Sequence, residues 1–110
     1  MAITVTAKTA SGQVASLASG NTSSALYTVP ADTSARLMMW RFGYTSYSSG
    51  VTIMINGYEL EDLSTSNGVN GLYDASSVHI YLESGDVIAV RNDEASARTI
   101  DYYLAILEQT

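Results

Sequence analysis

Apolar and polar residues alternate with a two-residue period in several short stretches of this chain. Nowhere do they keep the 3.6-residue period of a helix for three turns. The clearest stretch runs from Val78 to Val90. Val78, Ile80 and Leu82 alternate with His79, Tyr81 and Glu83, which predicts a half-buried strand. Ser84-Gly85-Asp86 then predicts a tight turn, with Gly85 free to take a positive φ, and Val87 to Val90 resumes a β-branched run. Ile3 and Val5 predict a short first strand. Residues 9 to 24, mostly Ala, Ser, Thr, Gly and Asn, predict a long loop or a weak strand around Gln13 to Leu17. Leu26 to Val29 reads as a strand ended by Pro30, followed by a turn over Ala31 to Ser34. Ala35 to Phe42 is the strongest apolar run. Val51, Ile53 and Ile55 predict a further strand, turned back through Asn56-Gly57 into Tyr58 to Leu60. Loops are expected over Gly43 to Gly50 and Ser64 to Gly71, and a turn over Asn92 to Ala97. Arg98 to Leu107 predicts a long closing strand.

About eight strands at short spacing predict an all-β fold, an antiparallel sandwich or barrel rather than a βαβ arrangement. With 110 residues the chain has length for one core. It divides into a Ser/Thr-rich N-terminal strand or arm, 1–24, and a β-sandwich, 25–110. Two strands are apolar on both faces. In one, Leu37 and Met39 oppose Met38, Trp40 and Phe42; in the last, Ile100, Tyr102, Leu104 and Ile106 oppose Tyr103, Ala105 and Leu107. A domain's own core covers one face, so Met38, Trp40, Phe42, Tyr103 and Leu107 are the candidate subunit interface.

Charge narrows the partners. Eleven acidic and five basic residues give a net charge of −6, which disfavours nucleic acid and anionic membranes. No cysteine is present, so disulfides and thiol chemistry are excluded. Met1 to Thr6 lacks the basic start and apolar run of a signal peptide, and no apolar stretch approaches the ~20 residues that span a bilayer. Synthesis in a cytosol is the expectation.

Residues for chemistry are scarce. The single histidine, His79, shares the polar face of its strand with Tyr81 and Glu83, and no Gly-x-Ser-x-Gly elbow accompanies it. Glu59, Glu61 and Asp62 form an acidic cluster, with Glu59 and Glu61 expected on one strand face, but no calcium loop surrounds them. Asp93 and Glu94 fall in a turn, where acids are common, and no pair of acids stands out as a glycosidase pair. Asn67 to Gly71 does not match a phosphate or dinucleotide loop. Asn21-Thr22-Ser23 is a glycosylation sequon without a secretory signal. No enzyme activity, cofactor or metal is expected. Tyr44 and Tyr47, in a Ser/Thr/Gly loop, suit either capping of the sandwich end or recognition of a partner.

Three segments together resemble small virion proteins of tailed bacteriophages: Leu26 to Leu37 with its Val-Pro-Ala turn, Val51 to Gly57, and Ile80 to Ile88 with Leu-x-x-Gly-Asp-x-Ile. They look like the jelly-roll domains of capsid decoration (cement) proteins and of fibre tips. Asp32 stands where a glycine would be commoner, and no coiled-coil or collagen-like shaft precedes the domain. The resemblance therefore implies a jelly roll of cement type that binds the major capsid protein lattice as a homo-oligomer, with a trimer favoured. Such a protein stabilises the shell at the virion surface and does no chemistry. A receptor- or glycan-binding domain of a tail fibre or spike is the alternative.

Overall fold

A computed structural model describes residues 3–43, 50–62, 71–74 and 80–110, with side chains at 60–62 and 71–74 left out. The chain forms β1 (Val5–Leu17), β2 (Tyr27–Thr28), β3 (Ser34–Gly43), β4 (Val51–Ile55), β5 (Tyr58–Asp62), β6 (Gly71–Asp74), β7 (Ile80–Leu82), β8 (Val87–Asn92) and β9 (Arg98–Gln109). Strand β6 pairs with Met39 to Phe42 and β7 with Ala35 to Leu37, so the two share one edge of β3 as a single interrupted strand. Two antiparallel sheets result, ordered β1-β9-β3-β6/β7 and β2-β8-β4-β5. Apart from the β4–β5 hairpin and the interrupted β6/β7 strand, successive strands pass from one sheet to the other. That order is a jelly roll, an all-β sandwich of about eight strands. Among the described residues no helix is long and apolar enough to cross a membrane.

The turns explain the crossings. Asn56 (φ 52°) and Gly57 (φ 83°) are both left-handed, as the tight hairpin from β4 to β5 requires. The turn after β7 passes the chain to the opposite sheet rather than back along its neighbour. Gly85 (φ 89°) lets its N–H reach the Val29 carbonyl at 3.0 Å. The Asp86 carboxylate accepts from the Glu83 N–H (2.8 Å) and Asn56 Nδ2 (2.9 Å), and Asn56 Oδ1 accepts from the Val87 N–H (2.8 Å). The Glu83 N–H first, and Asn56 second, hold this carboxyl below its ordinary range. Asp32 adopts φ 56°, a conformation Asp tolerates better than most residues, so the turn after Pro30 forms without the expected glycine.

Inward residues of both sheets meet in one core. Leu37, Ile100, Leu104 and Ile106 from the first sheet face Ile53, Ile88, Val90 and Val29, all at most 2% exposed. Trp40 and Phe42, expected on an outward face, belong to this core at 4% and 2% exposure. A bulge is the cause. Leu37 pairs with Ile106 but Met39 pairs with Ala105, so Met38 is an extra residue and the inward positions change from odd to even numbers. The last strand has the expected division, with Ile100, Leu104 and Ile106 buried and Tyr103 exposed.

Within the segment 1–24, residues 5–17 form an edge of the first sheet. β1 runs from Val5 to Leu17 and pairs continuously with β9 as far as Val14, against the loop or weak strand expected there. Ala, Ser and Gly have little strand propensity, but ladder pairing against a long apolar neighbour overrides it. Strand β6 has no counterpart in the hydrophobic pattern.

One polar clip joins the sheets. Tyr27 of β2 donates its hydroxyl to Oε2 of the buried Glu108 on β9, whose Oε1 lies 3.3 Å from Lys8 Nζ on β1. Burial first, then the hydrogen bond and the Glu108 charge, push the Tyr27 hydroxyl well above the ordinary phenol value. A raised folded pKa contributes stability that is complete below about pH 10 and is lost as pH rises toward the folded value. Tyr27→Phe should therefore cost about 1.5 kcal/mol at neutral pH and flatten the alkaline limb of the stability curve. Parallel alkaline limbs for both proteins in denaturant titrations would refute this role.

Candidate functional site

The two outer faces of the sandwich differ. On the β2-β8-β4-β5 sheet, Thr52, Met54 and Ala89 point away from the core and are nevertheless at most 7% exposed. Thr52 lies under an ion-pair network: it donates its hydroxyl to Asp93, and Arg91 bonds Asp93 (2.7 Å) and Glu59 (2.5 Å). These pairings hold the Arg91 guanidinium charged, Asp93 contributing most. Glu59 is thus engaged by an arginine. A bulge sets Glu59 opposite Met54 and Glu61 opposite Ile53, and the Glu61 and Asp62 side chains of the expected acidic cluster lie outside those described.

On the β1-β9-β3-β7 sheet the outer face is open among the described residues, and its register arranges residues in rows. Tyr81, Arg36, Leu107 and Ala7 form one row across four strands; Met39, Ala105 and Thr9 form the next; Arg41, Tyr103 and Ser11 form the third. The floor is aliphatic and half-buried, while Tyr81 (73% exposed) and Tyr103 (38%) stand at opposite ends. The Arg36 guanidinium lies 6.0 Å from the Tyr81 ring centroid, a cation–π contact that holds both side chains over the sheet.

Two shallow concavities mark the ends of this face. One, about 360 Å³, is lined by Val5, Arg36, Tyr81, Glu83, Leu107 and Gln109 among others. The second, about 200 Å³, is lined by Arg41, Gly43, Asp101, Tyr102 and Tyr103. Each combines a tyrosine, an arginine and a carboxylate. Asp101 also accepts from Gln13 Nε2 at 2.9 Å, which fixes it at the β1–β9 seam.

Of the interface residues expected from sequence, Tyr103 and Leu107 lie on this face, Met38 is the half-buried bulge residue, and Trp40 and Phe42 are in the core. Tyr44, Tyr47 and His79 lie outside the described residues. Arg36, Arg41, Tyr81 and Val5 were missed, because what gathers them is cross-strand register, which no local pattern encodes. The one local trace was Tyr81 on the polar side of its strand. Among the described residues no three His, Cys, Asp or Glu side chains group as metal ligands.

Comparison with protein-family models, curated proteins and solved structures gave no match.

Proposed function

We propose that this chain is a non-enzymatic structural protein of a tailed-phage virion, a capsid decoration protein that docks its β1-β9-β3-β7 face on the assembled shell. The observation that supports this reading is the face itself. Tyrosine and arginine over an aliphatic floor is the composition of protein interfaces, and a broad open sheet suits a lattice better than a small substrate. Two of the four arginines, Arg36 and Arg41, sit there in a chain of net charge −6, which suits the face to an acidic patch on the capsid. The mechanism is mass action: a protein that binds only the assembled lattice stabilises it by its binding free energy. Synthesis in the host cytoplasm, residence on the capsid surface and homo-oligomerisation belong to the same proposal.

Co-sedimentation with purified shells tests it. Tyr81→Ala combined with Leu107→Asp should weaken binding at least about tenfold, equivalent to about 1.4 kcal/mol, while leaving the fold intact. Equal recovery of wild type and variant, or equal binding to unassembled capsid subunits, would sink the reading.

A second reading has its own support. The Tyr81–Arg36–Glu83 and Tyr103–Arg41–Asp101 groups each offer a ring face for stacking on a sugar and charged hydrogen-bonding groups beside it. That suits a glycan-binding domain of a fibre or spike. Binding on a glycan array that disappears with Tyr81→Ala plus Tyr103→Ala would favour it over capsid docking.

A further inference from the structure

We infer that β1 is a self-pairing edge, at which two copies of this chain join antiparallel about a two-fold axis and fuse their first sheets into one. The argument starts from hydrogen-bond alternation. Thr4 and Thr110 exchange both backbone bonds, at 3.1 and 3.0 Å, and the register stays constant up to the Val14–Ile100 pair. In an antiparallel ladder every second residue bonds the neighbour. Thr6, Lys8, Ala10, Gly12 and Val14 therefore bond β9, while Val5, Ala7, Thr9, Ser11 and Gln13 direct N–H and C=O away from it. All five of these residues are exposed, and among the described residues β1 has β9 as its one strand neighbour.

An edge of this length is normally guarded by proline, an outward charge or a bulge. Among the described residues none guards Val5 to Gln13. The strand contains no proline, its bulge comes after Val14, and its single charge, Lys8, lies on the inward side against Glu108.

The occupant follows from the strand's own sequence. Centred on Thr9, an antiparallel copy sets Val5 opposite Gln13, Ala7 opposite Ser11 and Thr9 opposite Thr9 of the second chain. Every open amide between Val5 and Gln13 is then satisfied in one register. Lys8 meets Ala10, so no like charges stand directly opposite. The first carboxylate of the chain is Asp32, so this edge brings two acidic molecules together without opposing acids. Residues of equal parity pair, which keeps the outer faces on the same side and continues the rows of the docking face across the seam. An isologous contact of this kind closes at two copies rather than three. It requires no capsid, so its failure leaves the docking proposal standing.

Light scattering on the eluting protein at its highest soluble concentration should give the mass of two chains. Thr9→Lys changes an exposed side chain and sets two ammonium groups opposite each other; it should give one chain with a nearly unchanged melting temperature. Thr9→Pro, which removes the central outward N–H, should do the same. The chain has no native cysteine, so Thr9→Cys with a short bis-maleimide should link most chains in pairs, whereas Tyr58→Cys on the other sheet should not. A wild-type mass of one or three chains, a dimer that survives Thr9→Lys, or equal linking at both cysteines overturns the inference.

Discussion

Trp40→Ala is expected to lower the unfolding free energy by about 3–5 kcal/mol, the range for deleting a large buried aromatic side chain. Trp40 is 4% exposed, pairs across the sheet with Leu104, which is fully buried, and packs in the cluster that includes Phe42 and Leu37. Against a typical total of about 5–15 kcal/mol, the variant should melt more than about 10 °C lower, at about 4 °C per kcal/mol. Tyr103→Ala, one position along β9 from Leu104 but on the outer face, should cost less than about 1 kcal/mol. The contrast tests the bulge at Met38, because without it Trp40 would lie on the same side as Tyr103. Thermal melts of the two variants are sufficient. A mild Trp40→Ala that alters association instead would return Trp40 to the interface.

Asn92→Ala is expected to cost at least about 3 kcal/mol, since it strands several buried polar groups at once. The Asn92 side chain donates to the carbonyls of Leu17 (2.8 Å) and Ser96 (3.0 Å) and accepts from the Glu94 N–H (2.8 Å), with no exposed area. It ties the end of β1 to the end of β8 and shapes the turn before β9. The backbone adds to the same junction: Gly20 donates to the Asn92 carbonyl (2.7 Å) and Asn92 donates to Asn21 (2.9 Å). Asn92→Asp keeps the acceptor for Glu94 but turns a carboxylate oxygen toward two carbonyls, so it should be no milder than alanine. Urea titration measures both losses, and hydrogen exchange should quicken first near Leu17 and Glu94. A cost below about 1 kcal/mol would mean that the junction is held without this side chain.

Local chemistry made much of the fold legible. Asn56-Gly57 and Ser84-Gly85-Asp86 are turn sequences whose backbone requirements few residues meet, and both turns formed where expected. Ile100, Leu104 and Ile106 alternate cleanly, so the inward side of β9 was readable. The likeness carried by the segments from Leu26 to Leu37, Val51 to Gly57 and Ile80 to Ile88 pointed to the jelly-roll order that the sheets have.

The site was far less legible. Two-residue alternation predicts a face only while the register is unbroken. One extra residue at Met38 moved Trp40 and Phe42 inward, and another at Leu60 shifted the pairing of β5 with β4. Bulges carry no reliable local signature, because they depend on how the paired strands must twist to cover the core. Strand β1 escaped for a related reason: its residues gain their extended form from β9 rather than from their own propensity.

What the sequence by itself determined is the all-β class, the positions of the tight turns and the inward side of the last strand, because each depends on residues close together in the chain. Only the tertiary structure decided that β6 and β7 complete one strand position, that Trp40 is core, that Arg36 stands over Tyr81, and that β1 presents five outward amides. Those features depend on which strands become neighbours and in what register. That choice minimises exposed apolar area and unpaired backbone over the whole molecule, so no single segment contains it.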